Sequence, residues 1–541
     1  MSTTAASPTA TGPVPAGAPF VARYAHRAMV SSVDNLATEA GVQMLRRGGS
    51  AVDAALAANA VLTVVLPNQC GLGGDLFAIV HRDHELPVAI NASGRAGSGA
   101  DPVALRAEGF TRMPQRGNVA SVPVPGCVDG WVEMHRRFAR LGLEEILEPA
   151  RRYAEHGFPA PPYLAQAAPQ VVTTAAGPEL APGGSLAPGD VIRRPGIGRL
   201  LAGIASGGRR TFYEGEFGES LVELGAGQYT EDDLRRIQSE WVDPLSVRLW
   251  DRDVWTAPPN SQGYLALSAG WIAERLDLPS DPTDPLWAHL LVEASRQASY
   301  DRPEVLHEGA DGRALLSPAR LEPRLAAISR TGVADVRDPC APSETTYLCT
   351  VDDHGMSVSL IQSNGMSFGS HLVVGNTGVF LHNRGIGFSL EEGHPAEYGP
   401  GRRPPHTLAP ILVTNPDGGL HALLGTRGGD SQPQVLLQLL TRLLRHEQDP
   451  ATALAAGRWV LRGTEDDTSF NTWGYHGSVR AALEGQVPGS WAAALGDLGH
   501  RVELEPPYGH PFGHAQMIVA ERGRLTGAAD PRALSGAVGG F

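Results

Sequence analysis

A short run two-thirds of the way along the chain, Pro-Ser-Glu-Thr-Thr-Tyr-Leu from Pro342, constrains the local fold most strongly. Pro339 and Pro342 disfavour helix on this approach, which leaves Glu344 in an extended or loop conformation. A β-rich segment begins at once with Thr345 and Thr346. The sequence therefore predicts a strand that opens on a threonine, directly after an extended peptide bond.

Cleavage of the bond between Glu344 and Thr345 would make the threonine an amino-terminal residue. A free α-amine has an unperturbed pKa of roughly 7.7 to 8.0, so near neutral pH it can accept the proton of the Thr345 hydroxyl. One residue would then supply both the nucleophile and the general base. Two adjacent threonines are also typical of an ordinary strand, so the rest of the chain has to decide between these interpretations.

Seven short motifs between about residue 26 and residue 520 share a pattern. The motifs are Leu-Arg-Arg-Gly-Gly-Ser from Leu45, Asn-Gln-Cys-Gly-Leu-Gly-Gly-Asp-Leu-Phe from Asn68, Val-Pro-Val-Pro-Gly from Val122, Pro-Pro-Asn-Ser-Gln-Gly from Pro258, Thr345-Thr346, Asn383-Arg384-Gly385 and Gly-Thr-Arg-Gly-Gly-Asp from Gly425. They resemble the motifs of the γ-glutamyltransferase family and occur in the family's order. The resemblance implies an α/β fold with four layers in the order αββα, cleavage of a precursor, and N-terminal nucleophile hydrolase chemistry.

The resemblance also implies that two chains cut from one precursor form a single interwoven domain. We expect a large α chain over residues 21–344 and a small β chain over residues 345–541, with a dimer of such pairs as an alternative. Residues 1–20 are rich in Ser, Thr, Ala, Pro and Gly and carry no charge, which predicts a disordered tail.

Helical patterns dominate before residue 344 and strand patterns follow it. Helices with apolar faces and recognisable caps are predicted over residues 35–66 with a break at Gly48-Gly49 and Ser50 as a new N-cap, 129–141, 143–156 with Gly157 as terminator, 284–299 and 433–445. Strands are predicted over residues 345–351, 356–362, 373–381, 409–414 and 420–424, with a hairpin turn at Asp-Asp-His-Gly from Asp352.

Composition excludes several classes of function. The formal net charge is −14, which argues against nucleic acid as a partner. All 44 basic residues are arginine, so no lysine can form a Schiff base or anchor a phosphate loop. We expect no membrane span, because no run of about 18 apolar residues occurs. Four cysteines without paired spacing and no secretory leader pattern predict a cytoplasmic protein with reduced thiols.

Acyl transfer by Thr345 needs a second hydroxyl and an oxyanion site. Ser363 lies where the family carries a hydroxyl that bonds the nucleophile, and Gly428 and Gly429 match the family's oxyanion hole. Glycine suits that role because it lets backbone N–H groups approach a ligand closely. The alternatives are a solvent-facing serine at a strand end and an ordinary turn. We expect no metal and no cofactor.

The positions that hold a glutamyl group in glutathione-processing members are changed here. Their carboxylate-binding arginine corresponds to Ser93, their asparagine to Gly365, and their acidic and amide positions to Arg384 and Gly387. A free α-amino acid head group would find few of its usual partners. The pattern instead resembles the acylase-like branch of the family.

Five residues are candidates for holding the substrate. Arg95 and Arg384 would present positive charge to an anionic group, since arginine binds carboxylates by charge-assisted hydrogen bonds. His406 and Thr407 occupy a segment that carries a serine pair in glutathione-processing members, and Asn364 follows the second hydroxyl. The alternative is that the arginines have structural roles and that His406 faces away from the site.

These observations predict an autoprocessed amide hydrolase or acyltransferase that acts on a small anionic amide through an acyl-enzyme on Thr345. One alternative is γ-glutamyl transfer or hydrolysis on glutathione-like compounds. Another is hydrolysis of a C–C bond in a natural-product pathway. From a different class, the chain could be an unprocessed scaffold.

Overall fold

The structure is a computed structural model that describes residues 21–334, 344–463 and 479–541, so the predicted tail over residues 1–20 lies outside it. Strands and helices are mixed along the chain, with a run of helices over residues 264–326 and a run of strands over residues 344–425. The strands are β1 (Arg23–Ala25), β2 (Met29–Ser32), β3 (Asp75–Arg82), β4 (Val88–Ala92), β5 (Phe158–Pro159), β6 (Val191–Ile192), β7 (Glu240–Val242), β8 (Leu245–Leu249), β9 (Arg252–Thr256), β10 (Glu344–Val351), β11 (Met356–Gly365), β12 (Val373–Val374), β13 (Val379–Phe380), β14 (Ile411–Thr414), β15 (Leu420–Gly425), β16 (Trp459–Gly463), β17 (Val479–Glu484), β18 (Arg501–Glu505), β19 (Gln516–Glu521), β20 (Arg524–Ala529) and β21 (Ala537–Gly540).

The helices cover the outer faces of the main sheets and the ends of the molecule. They are α1 (Asn35–Arg46), α2 (Ala51–Val65), α3 (Pro102–Ala107), α4 (Cys127–Phe138), α5 (Leu143–His156), α6 (Pro162–Ala167), α7 (Gly177–Leu180), α8 (Pro195–Tyr213), α9 (Glu216–Gly225), α10 (Glu231–Arg235), α11 (Tyr264–Arg275), α12 (Pro285–Ser299), α13 (Arg302–Val305), α14 (Gly312–Leu315), α15 (Pro318–Ala326), α16 (Gln432–Leu440), α17 (Pro450–Ala455) and α18 (Trp491–Asp497).

Two seven-stranded antiparallel sheets form the centre of the fold. The first has the strand order β1-β20-β19-β15-β14-β9-β8, and the second has the order β21-β2-β10-β11-β3-β4-β7. An apolar layer that includes Phe77, Tyr347 and Ile518 fills the space between them. Helices α2 and α5 belong to the apolar core outside the second sheet, and α11 and α16 to the core outside the first. The predicted αββα sandwich is confirmed.

The central hairpin of the second sheet joins β10 to β11 at the predicted turn. Asp352 accepts hydrogen bonds from the backbone N–H groups of His354 (2.8 Å) and Met356 (3.0 Å), and Gly355 adopts a φ of +77° that favours glycine. The second carboxylate oxygen of Asp352 accepts the N–H of Ala51 at 2.9 Å. The turn is therefore fixed to the first residue of α2.

Helix α2 supports this hairpin from outside, and every residue of it is buried. Ser50 and Asp53 form a reciprocal capping box at its start, as the sequence signal at Ser50 predicts. Asn59 donates to Oε1 of Gln362 on β11 at 2.9 Å, which joins the helix to the sheet. No helix in the described part of the chain is long and apolar enough to cross a membrane.

Most predicted elements are present, and one strand differs. The sequence predicts a single strand over residues 373–381, whereas the structure has the two-residue strands β12 and β13. Gly375 and Gly378 lie between them with φ angles of +47° and +72°. These backbone conformations reverse the chain, because positive φ at two nearby glycines belongs to a turn and not to a strand.

Candidate active site

The predicted nucleophile lies in the middle of the second sheet. Thr345 is buried, and its hydroxyl donates to Oγ of Ser363 on β11 at 3.3 Å. The β10 to β11 register shifts here, so Ser363 and Asn364 of β11 lie opposite Thr345 alone and form a β-bulge. Bulges commonly redirect a side chain beside an active site. The structure thus brings the two predicted hydroxyls together, and their catalytic roles remain predictions.

Ser363 and Asn364 are held by a closely packed glycine segment. Oγ of Ser363 accepts the N–H of Gly365 at 2.8 Å, and a Cβ on Gly74 would lie 2.6 Å from the Ser363 carbonyl oxygen. The Asn364 amide donates to the carbonyl of Pro67 at 3.1 Å. Its Oδ1 is buried without a hydrogen-bond partner among residues 21–334, 344–463 and 479–541. That oxygen packs against Gly71 and Gly74, and the role of Asn364 in substrate binding stays a prediction.

The loop with the predicted oxyanion donors begins where β15 meets β10. A Cβ on Gly425 would lie 2.2 Å from the ring of Tyr347, so the end of β15 packs directly on the strand of the nucleophile. Gly428 and Gly429 have φ angles of +135° and +56°, which side chains disfavour. Gln262 donates from Nε2 to the Gly429 carbonyl at 2.7 Å. This loop is therefore held in place by a hydrogen bond, and its backbone conformation favours glycine at positions 428 and 429.

A buried ion pair anchors the same loop. Asp430 follows the two glycines and forms a 2.6 Å ion pair with Arg302 of α13, and both side chains are almost fully buried. Sequence reasoning missed Arg302, because nothing near it in sequence indicates that it contacts the glycine loop. In the sequence, only the negative charge of Asp430 in the Gly-Gly-Asp motif indicates that this loop has a cationic partner.

Arg384 is a buried cation on a neighbouring loop. Its Nη1 donates to the hydroxyl of Thr407 at 3.0 Å. A Cβ on Gly387 would lie 2.5 Å from the carbonyl oxygen of Pro405, so the two loops touch. Burial lowers the pKa of Arg384 to about 10, while the carboxylate of Asp75 opposes this shift. The guanidinium therefore stays charged at neutral pH in a site shielded from water.

His406 faces inward and is neutral at physiological pH. Its Nδ1 accepts the N–H of Leu408 at 3.3 Å, which places the proton on Nε2. Nε2 lies 3.2 Å from Oδ2 of Asp75, and burial together with the charge of Arg384 lowers the pKa of His406 to about 3. Sequence reasoning assigned no role to Asp75, although this residue lies within the motif that begins at Asn68.

Gln262 joins the two halves of the site. Its amide donates to the carbonyl of Thr407 at 2.9 Å as well as to that of Gly429. The oxyanion loop and the loop with His406 and Thr407 are thus fixed by one side chain. Because Arg384 bonds Thr407, the predicted catalytic and substrate-binding groups form one connected buried region, with the exception of Arg95.

The guanidinium of Arg95 is directed to protein carboxylates. It pairs with Glu308, lies 3.9 Å from Glu240, and donates to the carbonyl of Gly401 at 3.1 Å. These partners neutralise a charge that the sequence analysis assigns to a substrate. The role of Arg95 in binding an anion remains a prediction that these contacts do not support.

Comparison with known proteins places this chain in a family. The sequence model described as gamma-glutamyltranspeptidase matches residues 37–540 of the chain. The chain belongs to the γ-glutamyltranspeptidase family. It is an enzyme of the N-terminal nucleophile hydrolase class, as the motifs around Thr345 predict.

Individual relatives cover nearly the whole chain. The glutathione hydrolase-like YwrD proenzyme of Bacillus subtilis is 35% identical over 94% of this chain and 98% of its own length. The oxamate amidohydrolase proenzyme of Klebsiella pneumoniae is 33% identical over the same shares. A crystal structure of cephalosporin acylase from Bacillus halodurans superposes with a TM-score of 0.88 at 31% identity, covering 98% of each chain. Proenzymes and acylases are thus among its relatives.

Proposed function

We propose that the chain cleaves itself between Glu344 and Thr345 and then hydrolyses the amide bond of a small, carboxylate-bearing compound. The observation that carries this proposal is the buried, charged guanidinium of Arg384 beside Thr407. A cation shielded from water attracts an anionic group far more strongly than an exposed one does. The oxamate amidohydrolase relative supports the same class of substrate.

The proposed reaction follows from the groups around the nucleophile. The free α-amine of Thr345 takes the proton from Oγ1, which attacks the amide carbonyl. The N–H groups of Gly428 and Gly429 stabilise the oxyanion, and the protonated amine returns its proton to the leaving nitrogen as the C–N bond breaks. Water activated by the same amine then attacks the ester on Thr345, which releases the carboxylic acid and restores the hydroxyl.

The contacts of two changed positions argue against a glutamyl substrate. A Cβ on Gly365 would lie 2.3 Å from Oδ1 of Asn383, so an asparagine does not fit there unless Asn383 moves. Ser93 is buried and donates to Oδ1 of Asn91 at 2.6 Å, and Asn260 donates to the Ser93 hydroxyl at 3.2 Å. These two positions do not offer the head-group contacts of a glutathione-processing enzyme.

We expect oxamate to be a far better substrate than either oxamide or glutathione. Oxamide replaces the carboxylate of oxamate by a second amide and is the matched control. Loss of a charge-assisted hydrogen bond of about 1.5 to 3 kcal/mol corresponds to about a 10- to 150-fold lower kcat/KM. Hydrolysis of oxamate and oxamide is measured by ammonia release, and hydrolysis of glutathione is measured by glutamate release. Equal rates on oxamate and oxamide, or glutathione within tenfold of oxamate, would contradict the proposal.

We also propose that the two fragments stay associated after cleavage. Both main sheets combine strands from either side of the bond between Glu344 and Thr345, which supports a shared core. A cytoplasmic location is proposed as well, on the basis of the buried free thiols of Cys70, Cys127 and Cys349.

A further inference from the structure

Asp75 lies next to the predicted hydroxyl pair although the proposed reaction does not use it. It begins β3 and is directly opposite Ser363 in the ladder with β11. Side chains of directly opposite residues project from the same face of a sheet. The fully buried carboxylate of Asp75 is therefore on the face of the sheet that carries the Ser363 hydroxyl.

The carboxylate of Asp75 contacts four separate segments. Oδ1 accepts the N–H groups of Gly94 at 3.0 Å and Gly126 at 3.3 Å. Oδ2 lies 3.2 Å from Nε2 of His406 and 3.4 Å from Nδ1 of His382. Three of these segments carry predicted substrate-binding residues, because Gly94 precedes Arg95, His382 is two residues before Arg384, and His406 precedes Thr407.

A buried carboxylate that accepts hydrogen bonds from several loops is not by itself evidence of a role in substrate recognition. Asp53 is equally buried and accepts the N–H groups of Ser50, Arg140 and Leu141, far along the chain from any predicted site residue. The difference at Asp75 is its contact with His406, whose other nitrogen is already committed as an acceptor to Leu408. Only the tautomer with a proton on Nε2 satisfies both contacts.

We propose that Asp75 is a positioning residue for substrate recognition, which fixes the tautomer and orientation of His406 and thereby places Thr407 and Arg384 against the substrate carboxylate. The inference rests on the proposed function to the extent that the substrate is an anionic amide. It adds a residue that acts through its neighbours and does not itself react.

Asp75→Asn separates this role from simple filling of space. The asparagine keeps the shape but replaces one acceptor oxygen by an NH2 group, and at least three groups around the site are donors. If that NH2 faces His406, the ring would have to move its proton to Nδ1, where it would oppose the N–H of Leu408. His406 and the loop of Thr407 would then shift.

The test compares wild type, Asp75→Asn and the control Asp53→Asn, first for self-cleavage and then for kcat and KM on oxamate. For Asp75→Asn we expect normal cleavage, a kcat within about threefold of wild type and a KM raised at least tenfold. Asp53→Asn is expected to keep the wild-type KM. An unchanged KM in Asp75→Asn, or a KM raised equally in Asp53→Asn, would overturn the proposal.

A second measurement needs no variant of Asp75 and no substrate. Selective ¹⁵N labelling of histidine in the wild-type enzyme, with the His406 signals assigned through His406→Gln, reports which ring nitrogen carries the proton. We expect a neutral ring with the proton on Nε2 at pH 7. A proton on Nδ1, or a charged ring, would overturn the inference even if Asp75→Asn fails to fold. Absence of oxamate hydrolysis by wild type would instead contradict the proposed function and leave this readout intact.

Discussion

Thr345→Ala is expected to remain a single uncut chain without amide hydrolase activity. The alanine lacks the oxygen that attacks the peptide bond during maturation and the substrate during turnover. The Thr345 hydroxyl is buried and contacts that of Ser363, and we propose that it acts in both steps. A denaturing gel and an ammonia-release assay measure the two effects, and a circular dichroism melt checks that the variant is folded.

Thr345→Ser is the matched control, because it keeps the hydroxyl and removes only a methyl group. We expect it to be cut slowly and to retain measurable activity. Turnover by Thr345→Ala at the wild-type rate would place the nucleophile on another residue. Loss of cleavage in both variants at normal stability would indicate that the methyl group, and not the oxygen alone, sets the geometry of the nucleophile.

Arg384→Ala is expected to lower kcat/KM on an anionic amide by about 10- to 150-fold, which corresponds to about 1.5 to 3 kcal/mol for a lost charge-assisted hydrogen bond. Arg95→Ala is the control, since the Arg95 guanidinium already pairs with Glu308, and its kcat/KM should stay within about threefold of wild type. Self-cleavage of both variants is measured first, so that a maturation defect is not counted as a binding defect. A larger loss of kcat/KM in Arg95→Ala than in Arg384→Ala would contradict the assignment of Arg384 as the anion-binding residue.

Local signals in the sequence predicted the elements that position the nucleophile. Ser50 and the turn from Asp352 are short-range features, because a cap or a tight turn depends on residues within four positions of each other. The pairing of Thr345 with Ser363 was also accessible, since a hairpin with a known turn fixes which residues of its two strands meet. The bulge at Ser363 and Asn364, opposite Thr345, was not, because it depends on how the ladder ends beyond the hairpin.

The contacts that define the substrate side of the site could not be predicted in this way. Asp75 and His406 are 331 residues apart, and Arg95 and Glu308 are 213 residues apart. No periodicity or spacing encodes such pairs, which form only when the two sheets and their loops are packed together. From the sequence, Arg95 and Arg384 are equal candidates, and only the structure shows that Arg95 pairs with Glu308 whereas Arg384 is buried beside Thr407.

The most direct test of an N-terminal threonine nucleophile is the amino-terminal sequence of the smaller fragment in active enzyme. We predict two associated fragments, residues 1–344 and 345–541, and a smaller fragment that begins Thr-Thr-Tyr-Leu. Intact mass after brief exposure to a slow amide substrate should show the acyl group on that fragment alone. A different first residue, or full activity from a single uncut chain, would contradict an N-terminal threonine nucleophile at Thr345.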